Sequence, residues 1–322
     1  MRAIVFTGAG GADVMRVEER PDPQPGSSEV LVAAAYAGVN TADLAQRAGA
    51  YPAPPGAPQD VPGLEVAGTV VACGDAVRDW QVGSRVFGLV GGGGLADRVV
   101  VHERHVAAVP ERLTDEEAAA VPEVFITAHD AVVRQAGLGA GDRLLVNGAN
   151  GGVGTAAVQV GVLAGARVFA NARSPEARDR LAELGAEAVG PEDAFERVRA
   201  AGGADVVLEL VGAPNLAADV EVLAPKGRIV VVGTGAGADA QLSLRVLMGR
   251  RARILGTVLR ARPLEEKAAA VQAFAHDVVP FLADGRARAI VDRVFPVERV
   301  HEAFDHMERP GKFGKVLIWF GA

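Results

Sequence analysis

Residues 148–154 (GANGGVG) place a glycine-rich turn between an apolar segment and a helix start, the order that dinucleotide binding requires. The preceding residues 144–147 (LLVN) are typical of a buried strand, and the Ala- and Val-rich residues after the turn predict a packed helix. A helix start leaves backbone N–H groups unpaired and its dipole favours negative charge, so a pyrophosphate can bind there. The candidate contacts are Asn150, Gly151, Gly152 and Val153.

One alternative stays open for this turn. The strict fingerprint begins with glycine where this chain has Ala149, and a chain with 40 glycines produces such patterns by chance. The alternative is a tight strand-to-helix turn that binds nothing. Gly154 is expected to let the helix lie close to the strand in either case.

The end of the next predicted strand favours NADPH. NAD sites place an acidic residue about 20 residues beyond the glycine turn, whereas residues 171–174 are NARS. Arginine side chains there can pair with a phosphate, and a serine can donate from a helix start. The candidates are Asn171, Arg173, Ser174 and Arg178. A solvated helix face is the alternative interpretation of the two arginines.

Further candidate contacts follow other predicted strands, because ligands of open α/β sheets bind beyond the carboxyl ends of the strands. Gly233 would let the nicotinamide ribose pass close to the backbone. Residues 258 and 259 are expected near the carboxamide. The full set is Val211, Gly233, Thr234, Val258 and Leu259.

Strand and helix patterns alternate from residue 143 to about 259 and predict a doubly wound parallel sheet. Residues 1–110 instead contain short strand patterns separated by Gly and Pro clusters, which predict a partly open antiparallel β domain. The last predicted strand, residues 315–320, needs a sheet to pair with, so we assign the tail to this first domain. The predicted domains are 1–122 plus 261–322, and 123–260.

Four helices are predicted outside the alternating region. The capping box at residues 114–117 (TDEE) begins one, and a second covers about 124–137. A third covers about 264–282 and ends at Gly285, and the last covers 297–309.

Composition narrows the class of protein. The chain has 322 residues, a formal net charge of −7 and a single cysteine, Cys73. The acidic charge disfavours nucleic acid or an anionic membrane as the main partner. One cysteine and an N-terminus without a signal-peptide pattern predict a cytoplasmic protein, and no apolar run approaches the roughly 20 residues of a membrane span.

Motifs spread over nearly the whole chain resemble the medium-chain dehydrogenase/reductase superfamily. They are residues 38–44 (GVNTADL), 62–68 (PGLEVAG), 83–88 (GSRVFG), the glycine turn and 314–317 (GKVL). Within that superfamily the chain resembles the zinc-free, zeta-crystallin-like quinone oxidoreductases, and residues 256–262 (GTVLRAR) resemble a stress-induced subgroup. The resemblance implies an α/β protein in which a Rossmann doubly wound parallel sheet is inserted into a GroES-like, partly open β-barrel catalytic domain. It also implies a homodimer joined near residues 243–258.

No metal site is expected. Zinc-dependent members of the superfamily have a cysteine at or near Val39 and a histidine at Leu64, and catalytic zinc needs three protein ligands. His102 and His105 are interpreted as a solvated pair on a strand or loop. The histidines of the last predicted helix receive the same interpretation.

By the same resemblance, Asn40 and Tyr51 line the acceptor site and Thr127 lies near the nicotinamide. Asn40 could donate to a carbonyl oxygen as negative charge develops there. The structural alternatives are a turn residue for Asn40, a pocket wall for Tyr51 and helix packing for Thr127. His129 is expected to be a partly exposed helix residue, with a proton source at neutral pH as the alternative.

The resulting hypothesis is an NADPH-dependent reductase that transfers hydride without a metal to a small quinone, enone or other conjugated carbonyl acceptor. An alkenal or enoyl-thioester reductase is the alternative within this class. An NADPH-binding protein with vestigial catalysis is the alternative from another class.

Overall fold

The computed structural model describes residues 1–321 and divides into two compact units. The first comprises Met1–Ile126 and the segment from Leu259 onward, and the second, Thr127–Val258, is inserted into its sequence. Each unit contains its own sheets and hydrophobic clusters. The mixed α/β class predicted from the sequence is confirmed.

The first unit is built mainly from strands. In chain order they are β1 (Arg2–Phe6), β2 (Met15–Glu19), β3 (Glu29–Ala33), β4 (Tyr36–Val39), β5 (Glu65–Cys73), β6 (Arg85–Leu89), β7 (Arg98–His102), β8 (Val106–Ala108), β15 (Val291–Pro296) and β16 (Lys315–Trp319). Strands β2, β4 and β8 are not predicted from the sequence, because they are short and carry no clear alternation of polar and apolar residues.

Five of these strands form an antiparallel sheet in the order β7-β3-β5-β6-β8, as the short-strand pattern predicts. Strand β7 alternates buried and half-buried residues, which is typical of a strand with one face on a core. Small β-branched side chains fill the core below it, Val32, Val70 and Val86 among them.

The tail of the chain returns to the first unit, where β16 pairs antiparallel with β4 and parallel with β15. A second apolar cluster covers this three-stranded sheet. Phe304 from the last helix packs edge-on against Phe6 of β1 within it, with ring centroids 5.9 Å apart. The terminal strand therefore has the sheet partner that it requires.

The helices of the first unit are α1 (Thr41–Arg47), α2 (Asp115–Ala119), α3 (Pro122–His129), α9 (Leu264–Asp277), α10 (Val279–Asp284) and α11 (Val300–Glu308), with α3 continuing into the second unit. The predicted capping box is present, because Thr114 accepts from the Glu117 N–H at 3.1 Å. The single helix predicted over 264–282 is wrong: it breaks at Val278, next to Pro280 in the first turn of α10. Helix α3 likewise passes into a π-helical segment, Asp130–Gln135.

The second unit is a six-stranded parallel sheet with helices between its strands. In chain order the elements are β9 (Arg143–Asn147), α4 (Gly152–Leu163), β10 (Arg167–Asn171), α5 (Pro175–Glu183), β11 (Glu187–Val189), α6 (Pro191–Ala200), β12 (Ala204–Glu209), α7 (Ala213–Val222), β13 (Leu223–Val231), α8 (Leu244–Arg250) and β14 (Arg253–Gly256). Sequence patterns do not predict β11 or α8. Ser174 and Gly185 do bound α5, as predicted.

The strand order β11-β10-β9-β12-β13-β14 has its switch point between β9 and β12. From β9 the chain first builds outward to β10 and β11, and then crosses to β12 and builds in the other direction. In such sheets a crevice for ligands forms beyond the carboxyl ends of the strands at this point. The glycine turn after β9 lies at that end. None of the helices in residues 1–321 is both long and apolar enough to cross a bilayer.

Gly68 on β5 lies close to the backbone of β3. A Cβ atom built at Gly68 would lie 2.0 Å from the Ala33 carbonyl oxygen, which belongs to the rigid backbone of β3. We expect Gly68→Ala to lower the free energy of unfolding by about 1–3 kcal/mol through forced separation of the strands. Denaturant unfolding followed by circular dichroism measures this.

Gly249→Ala in α8 is the matched control, since no atom lies within 4 Å of its built Cβ. Alanine favours helix, so this variant should be as stable as the parent protein or up to about 1 kcal/mol more stable. Equal losses in both variants would contradict the account.

Candidate functional site

The glycine turn brings the start of α4 to the carboxyl edge of the parallel sheet. Gly148 adopts φ +75° directly after β9, and Gly151 is the N-cap residue of α4. A Cβ atom at Gly154 would lie 2.5 Å from the Gly148 carbonyl oxygen, so only glycine lets the helix lie this close to the turn. Space remains at Gly151, where the nearest atom to a built Cβ is 3.7 Å away.

The first turn of α4 contains no acidic residue, and its N-cap residue, Gly151, has no side chain that could cap it. By contrast, Ser174 caps α5 by accepting from the Ala177 N–H at 3.1 Å. The dipole and the first N–H groups of α4 are therefore available to an anion. The four predicted contacts, Asn150 to Val153, are all half-buried at this helix start. These features fit a pyrophosphate.

The predicted phosphate-binding residues after β10 have different local roles. Arg178 donates to the carbonyl oxygens of Ala172 at 3.3 Å and Arg173 at 3.0 Å, so its guanidinium shapes the loop. The hydroxyl of Ser174 acts as a helix cap. Arg173 is exposed at the end of the loop. Asn171 is buried and donates from Nδ2 to Asn147 Oδ1 at 2.9 Å.

The remaining predicted coenzyme contacts lie on three loops. The Val211 N–H donates to Glu209, and Thr234 is exposed. The loop of Gly233 lies so close to Leu210 that a Cβ would meet the Leu210 carbonyl oxygen at 2.3 Å, which explains the glycine by backbone packing. Val258 is half exposed, whereas Leu259 is buried.

A buried polar network joins the ends of the three central strands of the second unit. Asn171, Asn147 and Glu209 are direct register neighbours at the ends of β10, β9 and β12. Asn147 Nδ2 donates to Glu209 Oε2 at 2.7 Å and to Oδ1 of Asp219, on α7, at 2.8 Å. Burial first, and then the charge of Glu209, raises the pKa of Asp219 to about 9, so this carboxyl holds a proton at neutral pH.

In the first unit, Asn40 belongs to a second buried network. Lys315 Nζ donates to Asn40 Oδ1 at 2.7 Å and to Glu65 Oε1 at 2.5 Å, and Asn40 Nδ2 donates to the same Glu65 oxygen at 2.9 Å. Asn40 Nδ2 has a longer contact of 3.4 Å with the Gly38 carbonyl oxygen. Asp43 accepts from the Asn40 N–H at 2.8 Å, and burial raises the pKa of Asp43 to about 6.

Tyr51 is half-buried under the guanidinium of Arg260, which lies 5.2 Å from the ring centroid. The buried Arg260 donates to the carbonyl oxygens of Tyr51 at 3.0 Å and Gly91 at 2.8 Å, and to Gln46 Oε1 at 2.5 Å. One cation thus holds α1 and two loops together. Burial raises the pKa of the Tyr51 phenol, so it stays protonated and able to donate at neutral pH.

Two known protein families match parts of this chain. Residues 26–111 match the alcohol dehydrogenase GroES-like domain, and residues 152–276 match the zinc-binding dehydrogenase family. The quinone oxidoreductase of Lama guanicoe is 30% identical, over 99% of this chain and 97% of that protein. The chain belongs to the medium-chain dehydrogenase/reductase family.

Solved structures agree with this family membership. The quinone oxidoreductase of Thermus thermophilus, known also in complex with NADPH, is 35% identical with a TM-score of 0.85, over 99% of this chain and 100% of that one. The CurK enoyl reductase is 28% identical with a TM-score of 0.87, over 99% and 98% of the two chains. The chain is thus an oxidoreductase of the zeta-crystallin-like branch of the family.

The histidines in the described part of the chain do not form a metal-binding cluster. Within residues 1–321, no group of three or more His, Cys, Asp or Glu side chains is placed to hold a metal ion. The expectation of a solvated histidine pair is wrong for His105, which is half-buried, contacts the Leu264 carbonyl oxygen at 3.1 Å and has its pKa lowered to about 4 by burial. Its partner, His102, has its ring centroid 5.4 Å away.

Two predictions about α3 have different outcomes. His129 is buried, with 2% of its surface exposed, so the expectation of a partly exposed histidine is wrong. Burial follows from the position of its helix, whose residues 124–132 are buried throughout. Thr127 is also buried on α3, and its role remains a prediction.

Sequence patterns do not predict several buried charged residues of the two polar networks, nor Arg260 and Lys267, whose Nζ donates to the Arg260 carbonyl oxygen at 2.9 Å. They are Glu65, Asp219, Glu209, Arg260, Lys267 and Lys315. The available signal is an ionisable residue inside or beside an apolar strand, as in VVLEL around Glu209 and KVLIW from Lys315 onward. Such a residue needs a buried partner, but the pattern does not say which one.

The Lys315–Glu65 pair supports Asn40, so its loss should be costly. We expect Lys315→Met to lower the free energy of unfolding by about 3–5 kcal/mol, because Glu65 would remain buried without its cation. Denaturant unfolding of the purified variant measures this. Arg299→Gln, which removes an exposed cation paired with Glu302, is the control and should change stability little. Equal effects of the two changes would argue against a buried pair.

Proposed function

We propose that this protein is an NADPH-dependent reductase that transfers hydride, without a metal, to quinones or other conjugated carbonyl acceptors. The observation that carries the proposal is the full-length similarity to quinone oxidoreductases in a chain whose zinc-ligand positions are apolar. Val39 and Leu64 are both buried hydrophobic residues. Neither can bind zinc, which needs N, S or O ligands.

The coenzyme is proposed to bind at the glycine turn. The start of α4 would hold the pyrophosphate through backbone N–H groups, and Gly151 leaves room for its approach. Arg173 is exposed where NAD sites place an acidic residue, so its guanidinium would pair with the 2′-phosphate. When bound, the nicotinamide supplies the hydride.

On the acceptor side, Tyr51 is proposed to donate a hydrogen bond to the oxygen of the conjugated carbonyl. Its raised pKa keeps the phenol protonated, and Arg260 fixes the backbone carbonyl and the ring. Asn40 is proposed as a second donor. Because its other contacts are with the buried Glu65 and Lys315, the acceptor would replace the long contact between Asn40 Nδ2 and Gly38. Thr127 is proposed to lie near the nicotinamide.

Reduction of an enoyl thioester is the second candidate, favoured by the similarity to the CurK enoyl reductase. Both reactions deliver hydride to a carbon conjugated with a carbonyl group, so the same donors serve both. Acceptor preference therefore distinguishes them.

A homodimer and a cytoplasmic location form part of the proposal. Strand β14 is an edge strand that pairs with β13. Met248 and Leu244, on the preceding helix, are 75% and 68% exposed, which would suit a second copy. The single cysteine is consistent with a reducing compartment.

A panel of acceptors tests the proposal. We expect kcat/KM to be at least about tenfold higher with benzoquinones and naphthoquinones than with enals or enoyl thioesters. This difference corresponds to about 1.4 kcal/mol in the activation barrier. The measurement is kcat/KM from NADPH absorbance. Faster turnover of enoyl thioesters would favour the second candidate. Coenzyme binding without turnover on any acceptor would indicate vestigial catalysis.

Two tyrosine variants, assayed with the same acceptors, test the role of Tyr51. Tyr51→Phe should keep NADPH affinity and lower kcat/KM for the preferred acceptor by roughly tenfold or more, because it removes one donor. Tyr36→Phe changes the other tyrosine of the chain and should leave kcat/KM unchanged. Unchanged kcat/KM in Tyr51→Phe would make Tyr51 only a wall of the site.

Arg173 should determine the preference for NADPH. We expect Arg173→Ala to raise the Kd for NADPH by roughly tenfold to a hundredfold, because a charge-assisted phosphate contact is lost, and to leave the Kd for NADH unchanged. Fluorescence titration with each coenzyme measures the two constants. Arg199→Ala removes the same charge from the exposed face of α6 and is the control. Equal weakening by both variants would refute a specific role for Arg173.

A further inference from the structure

The amide nitrogen and the amide oxygen of Asn147 are both hydrogen-bonded at the carboxyl end of the parallel sheet. Its Nδ2 group donates to carboxyl oxygens of both Glu209 and Asp219, and its Oδ1 accepts from Asn171. Rotating the amide by half a turn would place Oδ1 against two carboxyl groups. The four residues are buried, so these contacts are not exchanged with water. One amide thus fixes β9, β10, β12 and α7 relative to one another.

Glu209 extends this order to the loops after β12 and β13. Its Oε1 accepts from the Val211 N–H at 2.5 Å and the Gly212 N–H at 2.7 Å. Its main-chain oxygen accepts from the N–H groups of Val232 at 3.0 Å and Gly233 at 3.2 Å. A shift of Glu209 would therefore move both loops.

The other two loops at this edge depend on the same residues. The Ala149 N–H, in the glycine turn, donates to the Asn171 carbonyl oxygen at 3.1 Å. Asn171 is itself held by Asn147. Four loops, those after β9, β10, β12 and β13, are thus joined to one buried cluster, which we define as Asn147, Asn171, Glu209 and Asp219. All the proposed coenzyme contacts except residues 258 and 259 lie in these loops or in the strand ends and helix starts beside them.

We propose that Asn147, Glu209 and Asp219 are positioning residues for the coenzyme, and that the proton carried by Asp219 keeps the loops in the binding arrangement. The inference rests on the proposed function. Both carboxyl groups lie within 2.8 Å of the same nitrogen, so a second negative charge would repel the first. The cluster tolerates one charge, which the N–H groups of residues 211 and 212 stabilise.

The surroundings of Asp219 leave Glu209 as the charge that governs this proton. Within residues 1–321, Glu209 is the charged group that acts on Asp219, and Asn147 on β9 is uncharged. Helices α6 and α8 and strand β13 also pack against α7 but contribute no charge at this carboxyl. Loss of the Asp219 proton at alkaline pH would place two carboxylates on one amide. The loops would then loosen.

Coenzyme titration against pH tests this inference. We expect the Kd for NADPH of the parent protein, measured by fluorescence, to rise roughly tenfold between about pH 8 and pH 10, since affinity falls with the protonated fraction of Asp219. Asp219→Asn keeps a neutral group of the same shape. Its Kd should stay within about twofold over this pH range, because an amide at position 219 has no proton to lose. Circular dichroism at each pH checks that the protein stays folded.

Glu221→Gln is the matched control, because it makes the same change from carboxylate to amide at an exposed position of α7. It should show the alkaline loss of the parent protein. The inference is overturned if Asp219→Asn loses affinity like the parent protein, or if the folded parent protein shows a constant Kd to about pH 10. Absence of NADPH binding at every pH would instead refute the proposed function.

Discussion

The amide of Asn147 is the interaction on which the second unit depends most. A parallel sheet ends in loops, and the polar groups of those loops need partners where the sheet excludes water. Asn147 provides three hydrogen bonds at that edge, and Glu209 provides acceptors for the next two loops. The polar groups at the strand ends therefore hold the loops in a fixed arrangement.

The first unit satisfies its buried charges in a comparable way. Lys315 is buried against Glu65 and Asn40, and it joins the last strand to the turn that begins α1. Arg260 donates to two backbone carbonyl oxygens and one side chain, which lie far from it in sequence. In both places a long cationic side chain pairs with polar groups of separate elements. Removing the cation would leave these groups buried without a partner, which would destabilise the loops around Tyr51 and Asn40.

Family membership and local geometry contribute different information. Similarity over the full length of quinone oxidoreductases assigns the chain to its family and makes it an oxidoreductase. The geometry explains individual residues, sometimes differently from the family pattern. Gly233 is explained by its packing on Leu210, and Ser174 by its role as a helix cap. Neither explanation excludes contact with a coenzyme, but each gives the residue a reason to be present without one.

The sequence by itself determined the parallel sheet, the glycine turn with its helix, and the antiparallel character of the first unit, because these depend on local periodicity and on backbone sterics. It also indicated where α2 and α5 begin, since capping is a local interaction. Only the tertiary structure decided which buried charges meet. Glu65 and Lys315 are 250 residues apart, and Asn147 and Asp219 are 72 apart. No periodic pattern encodes such pairs, because their energy depends on burial and distance in the folded chain. The break at residue 278 lies beside Pro280, a local signal, whereas the burial of His129 was decided by packing between elements.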